Sequence, residues 1–423
     1  MARHLKTKSG AVSSNTSQDS VSAVVKGVIE TIRLRGDAAV RQYSEKFDAW
    51  TPSSFKLSKP DIENCIGAVP EQTIKDIKEV QANVRAFAVA QRDSIKDFEL
   101  EIQPGVHLGQ KNLPINSVGA YDPSICLLSG WSADTNFRYI PGGRYPLLAS
   151  AHMTILTAKV AGVNNVIACT PPIAGKVPNA TVAAMSLAGA DEIFILGGVQ
   201  AVAAMAVGTE SIRKVDFLAG PGNAFVAEAK RQLFGEVGID LFAGPTEILV
   251  VADQHADPFT IATDLVSQAE HGPDTPAVLI TTSEQVGQLV INFVDYLLER
   301  SKLSTASLAK ISWDTFGEVI VVPTMDEAYA LADEYASEHV EILTQNPREA
   351  LDKMHNYGAL FLGEKTCVSY GDKVGTFQLL AAIFGHRVLI ASSRLLEQTT
   401  YYRPRGHRDT PVVFGKLLLT PIS

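Results

Sequence analysis

"YPLLASAHMTILTAKVAGVNNVIACTPP" (Tyr145–Pro172) is followed a few residues later by "NATVAAMSLAGADEIFILGG" (Asn179–Gly198). Both stretches have one design. Small and apolar residues at helical spacing run into an Ala-Gly stop, Ala161-Gly162 and then Ala188-Gly189, and a short apolar strand follows. A brief apolar run bounded by turn residues suits a strand buried on both faces, and a parallel strand pair needs a helical crossover between its members. The repeat is therefore one βα unit used twice, and it fixes the fold class as α/β. The small helix residues let helix and sheet approach closely.

The alternation extends outward. "VQAVAAMAVGTES" reads as a further helix, "VDFLAG", "VGIDLFAG" and "PAVLITT" as strands, and "GEVIVVPTMDEAYALADEYASEHVEILT" as strand, turn, helix, strand, with Thr324 and Glu327 spaced as a capping box. Toward the N-terminus, Val21 to Asp97 has apolar residues three and four apart, a break at Gly36, and Ser58 with Asp61 placed to cap a helix. "FELEIQPGVHLGQKNLPINSVGAY" then changes to short strands with Pro and Gly turns. Alternating βα units of this kind predict doubly wound sheets. No G-x-G-x-x-G follows any strand, so the dinucleotide fingerprint is absent.

A chain of 423 residues exceeds one compact core, so at least two domains are expected. The formal charge, 37 − 46 = −9, comes without any Lys/Arg-rich block, which argues against nucleic acid and anionic membrane as partners. Cys65, Cys126, Cys169 and Cys367 form no C-x-x-C pair and read as reduced thiols of a cytoplasmic protein. No apolar run has the length of a membrane span. Residues 1–20 are basic and serine-rich with no apolar core; they read as a disordered tail and not as a secretory signal.

Four stretches carry candidate chemistry. "DLVSQAEHGP" spaces Gln268 and His271 about one helical turn apart, half of a metal site or a surface accident. "LAGPGNAFVAEAKRQLFG" sets Gly220 and Gly222 around Pro221 before a helix starting near Asn223, which suits an anionic ligand or a plain tight turn. "ASEHVEIL" places Glu338 beside His339 where a helix gives way to a strand; such a pair serves acid–base work or simply ends a helix. "SYGDKVGT" sets Asp372 in a glycine-bounded turn, where it could join Gln268 and His271 as an oxygen donor for Zn2+. "FAGPTEILVVAD" adds the Thr246 hydroxyl and the Glu247 carboxylate.

The order of "IPGGRYP", "GGVQAVAAMAVG", "GPGNAFVAEAKRQLFG", "VGIDLFAGPTEILVVAD", "DLVSQAEHGP", "ASEHVEIL" and "YGDK" resembles the histidinol dehydrogenase family, over about residues 21–374. The wording of "GPGNAFVAEAKRQLFG" and "NYGALFLGEKT" is similar to members that oxidise a dihydroxypropanesulfonate (sulfopropanediol). The resemblance implies two incomplete Rossmann-like doubly wound domains in a zinc- and NAD-dependent cytoplasmic homodimer. Its reaction takes a primary alcohol, on an amino alcohol such as histidinol or a hydroxysulfonate, through an aldehyde to a carboxylate. Carried over by position, Gln268, His271 and Asp372 match zinc ligands that also meet substrate. Glu338 and His339 match the acid–base pair, His339 and Thr246 match substrate contacts, and Tyr139 (or Tyr121), Gln200 and Asn223 match NAD contacts.

The matching motifs suggest residues 21–121 plus 246–374 as a first, discontinuous α/β domain and 140–245 as a second. Two stretches depart from the family pattern. Residues 122–139 stand as an insertion between "GAY" and "IPGG", either genuine or translated non-coding sequence. Residues 375–423 diverge: Phe377 and Gln378 occupy the positions of a family Asn-His pair, and no last zinc histidine is recognisable, with His386 and His407 the remaining imidazoles. Two readings besides the enzyme stay open, a catalytically impaired member that binds NAD or dimerises without turnover, and an NAD-independent protein that holds another phosphate ligand at Gly220–Asn223.

Overall fold

The computed structural model describes residues 2–9, 15–121, 148–240, 246–300, 306–368 and 371. Among the described residues thirteen strands run in chain order: β1 (Arg3–Lys6), β2 (Phe98–Gln103), β3 (Val106–Gln110), β4 (Ser117–Tyr121), β5 (Asn165–Thr170), β6 (Glu192–Ile195), β7 (Phe217–Ala219), β8 (Gly238–Ile239), β9 (Ile248–Ala252), β10 (Ala277–Thr281), β11 (Gly317–Val321), β12 (His339–Leu343) and β13 (Ala359–Leu362). They form a parallel five-stranded sheet ordered β6-β5-β4-β7-β8 and a six-stranded sheet ordered β1-β11-β10-β9-β12-β13. The six-stranded sheet is parallel except at the β1 edge, and β2 with β3 makes a separate antiparallel hairpin.

Each large sheet is buried on both faces, as the apolar strand runs require. Along the five-stranded sheet, Val118, Ala120, Val166 and Ala168 point into one core, while Tyr121, Ile167 and Cys169 point into the other. The first is closed by the helices Lys59–Gly67, Glu71–Ser94 and Asn179–Ala188, the second by Asn15–Arg35, Gly198–Val207 and Ala224–Leu233. The six-stranded sheet repeats the arrangement. Ile248 and Val250 face helices Pro258–Ala269 and Glu284–Arg300, and Leu249 and Val251 face helix Met325–Tyr335. Both strand orders reverse once, between β4 and β7 and between β9 and β12, which makes each sheet doubly wound.

The local stops act as the residue types require. Gly162 and Gly189 cap their helices at φ 94° and 102°, a left-handed backbone that glycine adopts without a Cβ penalty. Ser58 and Asp61 form a complete capping box, and at Thr324 the side chain accepts the Glu327 N–H.

Three expectations need correction. Residues 3–6 are not tail: β1 pairs antiparallel with β11, Leu5 packs against the core, and the Lys6 ammonium donates to Gly317 O at 2.9 Å above the Trp313 ring. Residues 15–20 likewise lie in helix Asn15–Arg35. The division that grouped 21–121 with 246–374 also fails. β4 lies at the centre of the five-stranded sheet, and the helices before it bury Val25, Ile32, Ile77 and Val84 against that sheet. Residues 15–121 thus belong structurally with 148–240, and the six-stranded sheet takes β1 and residues 246–362. The expected insertion 122–139 and the divergent segment 375–423 lie outside the described residues.

Candidate active site

The amino edge of the six-stranded sheet gathers the first cluster. β9 and β12 are parallel neighbours with His339 in register with Ile248, so the residues that lead into these strands lie side by side. Thr246 and Glu247 precede β9, and Glu338 precedes β12. Helix Pro258–Ala269 brings Gln268 over them in its last turn. The Gln268 amide Nε2 donates to the Thr246 hydroxyl at 3.0 Å, and that hydroxyl donates to Glu338 Oε2 at 2.8 Å. The Glu338 backbone is anchored too, its N–H donating to Glu247 Oε1 at 3.2 Å. A side chain at Gly358 is excluded, because its Cβ would fall 2.5 Å from Glu338 O.

His339 stands next in the row. Its Nδ1 lies 3.0 Å from the Glu247 carbonyl oxygen, which can only accept, so Nδ1 carries the proton and Nε2 keeps the lone pair. The ring packs 6.2 Å from Phe361, and Nδ1 is 3.8 Å from Glu338 Oε2. Burial, reinforced by the neighbouring Glu338 charge and opposed by the Glu338 N–H bond, pushes the Glu247 carboxyl up to about 7.

Gln268 is buried, and its amide nitrogen is committed to Thr246, which leaves the amide oxygen as the donor atom for a cation. His271 lies past the helix end in an exposed turn closed by its N–H on Gln268 O at 3.0 Å. The two side chains therefore come from one turn of chain, but not from a common helix face. Asp372 and Tyr139 lie outside the described residues, and among the described residues no three His, Cys, Asp or Glu side chains cluster as a metal site. An amide oxygen and an imidazole nitrogen are nonetheless a donor set suited to zinc.

A carboxylate pair under this cluster escaped sequence reading. Asp264, one turn before Gln268, faces Glu341, two residues after His339 on the same side of β12. The one available signal was a glutamate in the middle of the apolar strand "HVEIL".

The second cluster lies at the carboxyl ends of β4 and β7, where the order of the five-stranded sheet reverses, the usual place of a ligand crevice in such sheets. The Tyr121 hydroxyl accepts the Gly198 N–H at 2.8 Å. Gln200 is fully buried: its Nε2 donates to Asp48 at 2.9 Å, and its Oε1 has no partner among the described residues. Gly220 is held at φ 132° so close to β4 that a Cβ would fall 2.0 Å from Tyr121 O. Its N–H donates to Asp240 Oδ2 at 2.7 Å, and its carbonyl accepts from Lys230 at 2.9 Å. Lys230 and Asp240 are themselves a buried ion pair; burial raises the Asp240 carboxyl, and the Lys230 charge opposes that rise. Asn223 caps helix Ala224–Leu233 by accepting the N–H groups of Phe225 and Val226. An orphaned amide oxygen, a glycine turn and a helix start near this switch point are groups suited to a nucleotide.

The comparisons bear on the fold and the family. The family model described as histidinol dehydrogenase matches residues 12–126 and 136–380; the break at 127–135 falls within the segment 122–139 read as an insertion. A "Histidinol dehydrogenase homolog" of Shouchella clausii is 53% identical over 374 residues, 88% of this chain and 84% of that protein. The "Sulfopropanediol 3-dehydrogenase" of Ruegeria pomeroyi is 41% identical over 376 residues, 88% of this chain and 82% of that protein. Among solved structures, histidinol dehydrogenase from Elizabethkingia anophelis superposes with a TM-score of 0.77 at 31% identity, covering 89% of this chain and 82% of that one. With its two doubly wound sheets and its motifs in family order, the chain belongs to the histidinol dehydrogenase family, a family of oxidoreductases.

Proposed function

We propose that the protein is a zinc- and NAD-dependent dehydrogenase that oxidises a primary alcohol through an aldehyde to a carboxylate. The observation that carries the reading is the hydrogen-bonded row Gln268–Thr246–Glu338 with His339 beside it. Gln268, His271 and Asp372 would hold zinc, which when bound supplies a Lewis acid that anchors and polarises the substrate oxygen. Tyr121 or Tyr139, Gln200 and Asn223 would hold NAD, the hydride acceptor when bound.

The chain's own groups divide the remaining work. His339, with Nδ1 committed to the Glu247 carbonyl, offers Nε2 to take the proton of the alcohol hydroxyl. Glu338, oriented by the Thr246 hydroxyl, receives a proton from the water that adds to the aldehyde. Thr246 ties this carboxylate to the Gln268 amide, so acid–base group and metal donor are positioned together. Holding the aldehyde in one site prevents its loss between the two oxidations.

The substrate class is an amino alcohol such as histidinol or a hydroxysulfonate such as dihydroxypropanesulfonate, the latter supported by the sulfopropanediol dehydrogenase relative. A cytoplasmic homodimer is part of the same proposal; among the described residues no helix is long and apolar enough to cross a membrane. The test measures NADH formation with histidinol and dihydroxypropanesulfonate in parallel, on protein of known zinc content. NADH formation with one alcohol and about one zinc per chain is expected. NAD binding without turnover would instead identify an impaired member of the family.

A further inference from the structure

Glu341 lies in the centre of β12, between Val250 of β9 and Phe361 of β13, and is fully buried. Two groups meet its carboxyl. The backbone N–H of Val368 donates to Oε1 at 3.2 Å. On the other side stands the Asp264 carboxyl of helix Pro258–Ala269, while Oε2 has no donor from any described group in its ionised form. Two carboxyl groups can bond only when one carries a proton, because two carboxylates are both acceptors. The groups thus joined come from three segments: the helix that carries Gln268 in its next turn, the strand that begins with His339, and the chain that leads from Val368 toward Asp372.

We propose that Asp264 and Glu341 share one proton and act as positioning residues, a carboxylic acid–carboxylate clamp that holds the Gln268 helix and the Val368 segment against the Glu338–His339 strand. Part of this proposal, the effect on turnover, rests on the dehydrogenase reading above; the proton sharing does not.

Among the described residues, other ionisable groups around the pair are few. β9 and β13 present Val250 and Phe361 to Glu341, His339 lies two residues away on the same face of β12, and Cys367 adjoins Val368. Helix Pro258–Ala269 faces it with Asp264 alone; Asp257 caps the far end of that helix, and Glu270 and His271 lie beyond its last residue. Burial, with the Asp264 charge adding, pushes the Glu341 carboxyl well above the usual carboxylate range, and burial raises Asp264. The folded chain therefore keeps a proton that the unfolded chain releases near the ordinary carboxylate value. Stability contributed at that site falls as pH rises from there until the folded value is passed, when two facing charges loosen the clamp.

The experiment follows the thermal midpoint of the full chain from about pH 6 to about pH 9.5, with NADH formation measured alongside. Wild type should lose midpoint steadily across this range. Glu341→Gln keeps an oxygen for the Val368 N–H and an amide donor for Asp264, so its midpoint should flatten and its alkaline loss of turnover should move upward. Asp264→Asn, which donates the other way, should do the same, whereas Glu341→Ala should lose turnover at every pH. A wild-type midpoint that does not fall with pH overturns the proposal, as does Glu341→Gln behaving like Glu341→Ala. A rise in midpoint on adding zinc or magnesium that Glu341→Gln abolishes also overturns it, since the two carboxylates would then hold a cation instead of a proton. If wild type forms no NADH, the dehydrogenase reading fails while the midpoint profiles still decide the proton sharing.

Discussion

Thr246 is one hydroxyl with two obligations: it accepts from Gln268 and donates to Glu338. Thr246→Val preserves shape and removes both bonds. It should cost roughly 1–3 kcal/mol of stability through the polar groups left unpaired, and lower kcat by at least about tenfold through a mispositioned carboxylate. Thr246→Ser should recover most of both, as chemical denaturation and steady-state kinetics can check. Glu247 gives a pH signature of its own. With its carboxyl held up to about 7, the folded chain binds more protons than the unfolded chain from the ordinary carboxylate value to that point. The stability contributed there falls with rising pH in that window and is level above it. Glu247→Gln should flatten this part of the melting profile, which ends lower on the pH scale than the loss assigned to Glu341. Gly220→Ala places a methyl 2.0 Å from Tyr121 O at a φ of 132°. The strain should cost about 1–3 kcal/mol or displace the loop, seen as a lower melting midpoint and weaker NAD retention in equilibrium dialysis.

At the scale of elements, the loop after β7 is set by a helix reaching back to it. Lys230 of helix Ala224–Leu233 and Asp240 after β8 grip the carbonyl and N–H of Gly220 from either side. Removing one partner strands a buried charge, so Lys230→Met should cost about 3–5 kcal/mol. Lys230→Met combined with Asp240→Leu should recover a large part of it, as urea denaturation of the two variants will show. The same double change should still weaken NAD binding, because the bonds to Gly220 are gone in both. Helix Pro258–Ala269 plays the matching part in the six-stranded sheet: Ile261 and Leu265 bury it on the core, and Asp264 and Gln268 then meet β12 and Thr246.

Among the described residues two large sheets have separate cores and one candidate site each, at opposite kinds of edge. The proposed NAD site is at the carboxyl ends of β4 and β7, and the proposed acid–base row is at the amino ends of β9 and β12. Ligands that bind one folded unit stabilise that unit by mass action. Calorimetry with NAD alone should raise the transition of the five-stranded sheet, and zinc alone should raise that of the six-stranded sheet. A shift common to the entire molecule with either ligand would show that the two units melt as one.

The fold class was legible because a buried parallel strand and its crossover helix leave a local record, and the Ala-Gly stops at 161–162 and 188–189 repeat that record. The motif strings and their order were also enough to name the family, and local spacing marked Ser58 and Thr324 as helix caps. Strand partnership was not legible. Nothing in "SVGAY" says that β4 lies between β5 and β7, or in "RHLK" that β1 closes the edge beside β11, because pairing depends on which surfaces the finished sheets leave to be covered. The bonds Gln268–Thr246–Glu338 and the meeting of Asp264 with Glu341 join residues 22 to 92 positions apart, and 77 apart for the acid pair. Sequence supplied the chemical groups and their elements; only the tertiary structure could bring them within hydrogen-bonding reach, since burial against other elements determines which of them face one another.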